Sequence, residues 1–538
     1  MDTSLISVKQ LRARIEGPDE IAVIDVREQG VFYHGHLYSA CCIPLSQLEI
    51  LIGRLVPRQT TPIVVHDGGG DSRLARIAMD RLGRMRYTHV SILEGGIVAW
   101  KDAGHELFSG VNVPSKAFGE MVEQACRTPH ISAQELHQRL ETKDNIVVLD
   151  SRPYGEYTKT SIPTGINVPG AELVHRVFDL VKDPATTVVV NCAGRTRSII
   201  GAQSLINAGL ENPVMALKDG TMGWFLAGFE PDHGKTQIGD KPAKNGLVQA
   251  QQAAADVAAR FDVKTVDHDQ VLEWQHQTKE RTLFLLDVRT EEEYLRGHFP
   301  GAQWAPGGQL VQATDEYMAV HNARVVLIDD ISVRAIMTAS WLQQMGWREV
   351  YVLENGLSDL DLESGPYRGG NRISAVNQFV SAEQLHKTLD SKEPVVVLDL
   401  SSSKFYREKH IPGAFWGVRS RLESSFSKLP ETDVLVLTAE NVELAQLAAM
   451  DLQQLEKDLS IFVLEGGFQA WEEAGYPLAS GLERPICDAD DVWYKPYELD
   501  HTEDISQHMQ DYLDWEVDLV GQLKRDGVRP FDIVSPGS

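Results

Sequence analysis

One cysteine of this chain stands where a nucleophile would be built. Cys192 directly follows the apolar run TTVVVN and opens the stretch Cys192-Ala193-Gly194-Arg195-Thr196-Arg197, ahead of a helical segment expected to begin near Ser198. The reactive form of a cysteine is the thiolate, so such a site must favour negative charge on sulfur, and a strand-loop-helix junction does this with oriented N–H groups and nearby cations. Small residues at Ala193 and Gly194 let the backbone curl into an anion-binding nest, and the helix turns its positive end to the sulfur. Arg195 and Arg197 add fixed charge suited to an anionic sulfur donor. The plainer reading of any free cysteine is a small buried hydrophobe. That reading fits Cys41 and Cys42, which fall in an expected strand, while Cys126 and Cys487 lie in connecting segments with nothing local that favours catalysis.

The surrounding pattern occurs four times, at intervals of 112 to 137 residues. An apolar run ending in an acidic residue reads IAVIDVR (Asp25, Arg27), IVVLDSR (Asp150, Arg152), LFLLDVR (Asp287, Arg289) and VVVLDLS (Asp399, Ser401). Upstream of each run, Ser7/Gln10, Ser132/Glu135, Asp267/Gln270 and Ser381/Gln384 have capping-box spacing. Downstream come GHLYSACCIP, TSIPTGINVP, GHFPGAQWAP and KHIPGAFWGV, then a second apolar run (TPIVVH, TTVVVN, ARVVLI, TDVLVL), and last LEGGIVAW, LKDGTMGW, LENGLSDL and LEGGFQAW. Short Val/Ile/Leu runs alternating with helices are what a parallel sheet buried on both faces requires. The expected fold class is therefore α/β: four tandem domains, each a parallel sheet flanked by helices, plus a C-terminal helical tail. The boundaries are 1–110, 128–232, 265–368 and 377–482, with a linker carrying a helix at 233–264 and the tail at 483–538. In the tail, Ile505, Met509, Tyr512, Leu519 and Leu523 have helical spacing, which predicts an amphipathic helix docked on a domain or a dimer partner, or laid as a lid over the second domain's loop.

The D-x-R after the first long strand, the G-H-I-P-G-A turn and the G-G-x-x-x-W near the end of each copy resemble the rhodanese superfamily over roughly residues 1 to 482. The resemblance implies a doubly wound sheet with the active loop at a strand's C-terminal end, and a cysteine in that loop followed five positions later by an arginine, here Cys192 and Arg197. In the related dual-specificity phosphatases five residues separate cysteine and arginine to fit a tetrahedral phosphate. Four separate them here, and the smaller cradle suits a sulfur atom.

The other copies read His66 or Asp67, Asp329, and Thr438 or Ala439 where the second has Cys192, so domains 1, 3 and 4 are expected to be inactive. Copy 3 keeps Arg334 at the position of Arg197. Arg152 is assigned to the substrate site as a contributor of field, alongside Ala193, Gly194, Arg195, Thr196, Arg197 and Ser198. Its recurrence in copies without a thiol favours a structural ion pair with Asp150 or a turn-fixing role over direct contact with substrate. His36, His298 and His410 recur in the turn motif and read as structural; domain 2 has Thr160 and Ser161 there, which leaves its turn open.

Composition narrows the function. The chain has 538 residues, 43% hydrophobic and 24% charged, and no apolar run of bilayer length. With 51 basic and 77 acidic residues the net charge of −26 repels phosphate backbones, so neither nucleic acid nor membrane is an expected partner. The N-terminus has no signal-peptide pattern, which points to the cytoplasm. Five scattered cysteines and 17 histidines without ligand spacing give no metal and no cofactor. The expectation is a sulfurtransferase that moves sulfane sulfur from thiosulfate or a related persulfide donor to a thiophilic acceptor, a thiol, cyanide or a protein, through a Cys192 persulfide. The alternative is a sulfur carrier or scaffold with little small-molecule turnover, and a homodimer stays open.

Overall fold

Each Val/Ile/Leu run becomes a central strand because both faces of its sheet are covered by helices, leaving room only for apolar side chains. The computed structural model describes residues 4–70, 72–358, 360–369, 378–391, 394–456, 458–498, 504–528 and 531–535. Domain 2 typifies the repeat: five parallel strands in the order 130–131, 214–217, 187–191, 146–150, 166–167. Domains 3 and 4 have the same order, built around 324–328 and 434–438. Domain 1 differs at one edge. Its strand Ile21–Asp25 pairs with Cys41–Cys42 and, antiparallel, with Val320–His321 of domain 3, a cross-domain strand that no periodicity announced.

The recurring motifs have physical causes, each visible in three of the four copies. Arg27, Arg152 and Arg289 each chelate the aspartate two residues earlier and donate to a turn carbonyl, that of Gly35, Thr160 and Gly297 respectively. His36, His298 and His410 hydrogen-bond through Nδ1 to the carbonyl four residues earlier and stack on that residue's ring. Ser161 takes the histidine position in domain 2 and makes the same antiparallel bridge, to Asp232, that the histidines make to Phe108, Glu363 and Ala479. Domain 2's turn thus keeps the backbone of the others.

Domain 4 lacks the arginine, and Asp399 is left with backbone and hydroxyl donors from Ser401 alone; burial pushes its carboxyl up to about 7. A carboxyl raised in the folded state contributes stability that is fully present below its unfolded value near 3.9 and is lost as pH rises through the folded value. Asp399→Asn should therefore raise the melting temperature at about pH 8 by several degrees more than at about pH 5, measured by thermal melts at the two values.

The domains associate through equivalent faces. Domains 2 and 3 meet about a local two-fold: Arg334 of domain 3 reaches Glu172 of domain 2 at 2.7 Å, and Arg197 of domain 2 reaches Gln309 of domain 3 at 3.1 Å, with Gly170 packed on Gly308. The linker helix Lys244–Phe261 lies against Glu172–Leu180 of domain 2 and Val333–Gln344 of domain 3 and ties the two together. Domains 1 and 4 pair through Arg419 to Glu49 and Arg81 to Asp451, with Asp451 also held by Arg419 of its own domain. One apolar cluster runs from Ile52 and Leu82 of domain 1 through Val174 and Leu205 to Leu310 and Leu342 of domain 3. Among the described residues no helix is long and apolar enough to cross a membrane.

Candidate active site

Strand register settles which residues correspond. Asp25, Asp150, Asp287 and Asp399 lie opposite His66, Asn191, Ile328 and Thr438, so the loops open with Asp67, Cys192, Asp329 and Ala439. Cys192 directly follows the strand Thr187–Asn191, and the helix Thr196–Asn207 starts two residues earlier than the sequence suggested, with its N-terminus at the loop. The thiol is 2% exposed, and its Sγ donates to Ser198 Oγ at 3.5 Å, while Ser198 donates to the Arg195 carbonyl at 2.7 Å. Once the sulfur is a thiolate, the same hydroxyl can rotate to donate to it.

The following turn explains the G-G motif. Thr221 N–H and Oγ1–H donate to the Cys192 carbonyl at 2.8 and 3.0 Å, and Met222 N–H donates to that of Ala193 at 2.9 Å. This close approach needs Gly220: its φ is +56°, and a Cβ there would sit 2.4 Å from the Cys192 carbonyl oxygen.

The cysteine-free copies reveal what these loops hold. In domain 3 the Asp329 carboxylate accepts from the N–H groups of Ser332, Arg334 and Ala335, the positions of Arg195, Arg197 and Ser198 in domain 2. In domain 1, Asp67 accepts from Gly69 and Ala75 N–H and from Ser72 Oγ. In two of the three copies that lack the thiol a carboxylate fills the ring of donors, while domain 4 has Ala439 there, so the loop fold is one that can cradle an anion.

The arginines have narrower duties than their number suggests. Arg195 donates to Glu120, Glu123 and Asp219, which pins the loop to the helix Val113–Cys126 and to the turn before Gly220. Arg152, 2% exposed, is committed to Asp150 and the Thr160 carbonyl, as its equivalents are in domains 1 and 3. Both guanidiniums are held by carboxylates of the fold and help to position the loop and the turn beside it. Arg197 is forked on Glu156 at 2.9 and 3.2 Å. Against burial, Glu156 and to a lesser degree Cys192 raise the Arg197 pKa, so this guanidinium lies within electrostatic reach of the sulfur. Burial would push the Glu156 carboxyl up, but Arg197 and Lys495 hold it below the usual carboxylate range. Arg334 and Glu293 repeat the pair in domain 3, a recurrence that could have marked Glu156 in the sequence. Thr196 Oγ1 is buried with no hydrogen-bond partner among the described residues, and its methyl packs on Gly119.

The tail supplies residues that no motif announced. Its helix Ile505–Asp526 docks on Val113–Cys126 and on Gly220–Leu226, and Met509 and Leu513 close over Met222. It both docks on a domain and covers the loop: a Cβ at Gly194 would lie 3.0 Å from Met222 Cε, 3.2 Å from Glu516 Oε2 and 3.6 Å from Tyr512 Cε1. Lys495, just before it in the chain, reaches Glu156 at 3.3 Å. Among the described residues no three His, Cys, Asp or Glu side chains group to hold a metal ion.

Comparison with known proteins agrees with this geometry. The rhodanese-like domain profile matches residues 7–103, 132–227, 267–362 and 381–474. The chain belongs to the rhodanese-like family. The crystal structure of a thiosulfate sulfurtransferase from Pseudomonas aeruginosa is 44% identical, spans 99% of this rhodanese chain and 100% of its own, and superposes with a TM-score of 0.93. An HTH-type transcriptional regulator of Mycobacterium tuberculosis is 34% identical over 104 residues, 19% of this chain and 45% of the regulator. A Bacillus subtilis protein provisionally named a sulfur carrier is 26% identical over 139 residues, 23% of this chain and 71% of that protein. The chain thus spans less than half of the regulator's length.

Proposed function

We propose that this rhodanese is a sulfurtransferase that takes sulfane sulfur from thiosulfate or a related persulfide donor onto Cys192 and passes it to a thiol, cyanide or a protein acceptor. The observation that carries the reading is the loop itself: a thiol at a helix N-terminus, in a ring of donors that elsewhere in the chain closes on a carboxylate. Cys192 Sγ attacks the outer sulfur of thiosulfate, the S–S bond breaks, and its electron pair leaves with sulfite. The negative charge remains on the new terminal sulfur of the persulfide, where loop N–H groups, Ser198 and the field of Arg197 stabilise it. The acceptor then attacks that sulfur, and the electron pair of the S–S bond returns to Cys192. The donor class accords with the thiosulfate sulfurtransferase to which the chain is 44% identical. Domains 1, 3 and 4, with Asp67, Asp329 and Ala439, take no part in the covalent chemistry. All five cysteines are free thiols, in keeping with a reducing, cytoplasmic compartment.

The burial of the thiol beneath the tail helix favours a second reading, a carrier or scaffold that is loaded once and unloads slowly. Peptide mass spectrometry of reduced protein mixed with thiosulfate and then cyanide tests the first. One extra sulfur on Cys192, removed by cyanide, is the expected result. No added sulfur from thiosulfate or from a persulfide donor would overturn it, and loading without multiple turnovers would favour the carrier.

A further inference from the structure

The thiol acceptor brings a proton that must go somewhere, and the loop of domain 2 has no acid or base among its own residues from Cys192 to Ser198. The tail helix places one against it. Glu516 is 0% exposed; its Oε1 accepts from Lys116 Nζ at 2.7 Å and from Tyr512 Oη at 3.1 Å. Its Oε2 is buried without a hydrogen-bond partner among the described residues, and it is the atom that lies over Gly194, two residues beyond the nucleophile. A carboxylate oxygen taken from water and left unmatched is costly, and such atoms recur where chemistry needs them.

We propose that Glu516 is the general base of the thiol half-reaction, its Oε2 accepting the proton of an incoming acceptor thiol at the Cys192 persulfide. The inference rests on the sulfurtransferase reading. The acceptor R–SH gives its proton to Oε2, and the resulting thiolate attacks the terminal sulfur. The S–S bond breaks with its electron pair returning to Cys192 Sγ. The sulfur departs as R–S–S⁻, and the proton on Glu516 passes to that product or to solvent. No oxidant or reductant is needed. Lys116 supplies the countercharge: against burial, Glu516 and Tyr512 raise its pKa, so it stays an ammonium. Tyr512, whose own pKa burial and Glu516 raise, stays a neutral donor. From the helix Val113–Cys126, Lys116 and Glu120 face this group; Glu120 is buried and tied to Arg195, and burial raises its carboxyl. From the helix Gly220–Leu226 comes the apolar Met222.

The two half-reactions separate this role from packing, because loading of the Cys192 thiolate by thiosulfate and unloading by the sulfite dianion take no proton from the incoming reagent, while unloading by a monothiol does. The full-length protein is loaded with thiosulfate, freed of excess donor, and discharged with 2-mercaptoethanol or with sulfite at about pH 8, where the dianion predominates. Glu516→Gln should slow discharge to the thiol about 10²-fold near pH 7, with the deficit shrinking as rising pH ionises the thiol unaided, and Glu516→Asp should recover part of the rate. Loading and sulfite discharge should stay within about twofold of the parent protein. Equal slowing with both acceptors, or none with either, overturns the proposal. Should Glu516→Gln fail to fold, the parent protein decides: thiol discharge should be slower in D2O while sulfite discharge is unchanged, and a shared response overturns the assignment. Failure of the parent protein to load at all would instead strike the sulfurtransferase reading.

Discussion

A Cys192→Ser protein should retain its fold and lose sulfur transfer by about 10³-fold or more. The substitution exchanges one atom in a nearly fully buried side chain, and a serine hydroxyl can use the hydrogen bond to Ser198 that the thiol makes now. What it cannot do is carry a sulfane sulfur, since an alkoxide is poorly accessible at neutral pH and an O–S analogue of the persulfide is no carrier. Turnover with thiosulfate and cyanide, set beside a thermal melt superimposable on that of the parent, checks both halves. Activity that survived would have to come from Cys41, Cys42, Cys126 or Cys487. Burial raises the pKa of each of those thiols, and none of them follows a central strand.

The second large effect is expected at a residue that touches no substrate. Gly220→Ala forces an L side chain to φ +56° and drives its Cβ to 2.4 Å from the Cys192 carbonyl oxygen and 2.7 Å from that of Gly194. Backbone on both sides leaves nothing flexible to yield, so the loop must shift, at a cost of roughly 2–4 kcal/mol, with the cradle losing its shape. Gly209→Ala is the control. It has the same sign of φ, +73°, but nothing within 4 Å of the new Cβ, so it should cost only about 1–2 kcal/mol and leave activity intact. A melt and a persulfide-loading assay on the pair would separate torsional strain from the contact; equal behaviour of the two would refute the contact argument.

Much of this was legible because the chain repeats itself. The apolar runs, caps and turn words located four sheets, and the absence of a thiol in three copies isolated Cys192. The alignment ambiguity at His66 and Thr438 disappeared only with strand register, since a one-residue slip leaves the apolar pattern unchanged. The ion pairs of Arg195 were not legible: its partners Glu120, Glu123 and Asp219 lie up to 75 residues away, where local spacing carries no information. The helix Val113–Cys126 and the strand Val320–His321 went unseen because what stabilises them lies in other domains. Glu516 was hidden inside a tail readable as a simple amphipathic helix, where hydrophobic period says which face docks but nothing about a carboxylate carried on that face.

The reciprocal contacts of Arg197 with Gln309 and of Arg334 with Glu172 make domain 3 the partner that a second copy of domain 2 would be. Tethering that partner in the same chain, with the helix Lys244–Phe261 wedged along both, fixes its stoichiometry and gives it an effective concentration that dilution cannot lower. A dimer of single domains would come apart in a dilute cell compartment and free the guanidinium beside the sulfur; here the neighbour of the reactive loop is always in place. Only the contact surface of that partner is under such a demand, which leaves its own loop at liberty to close on Asp329.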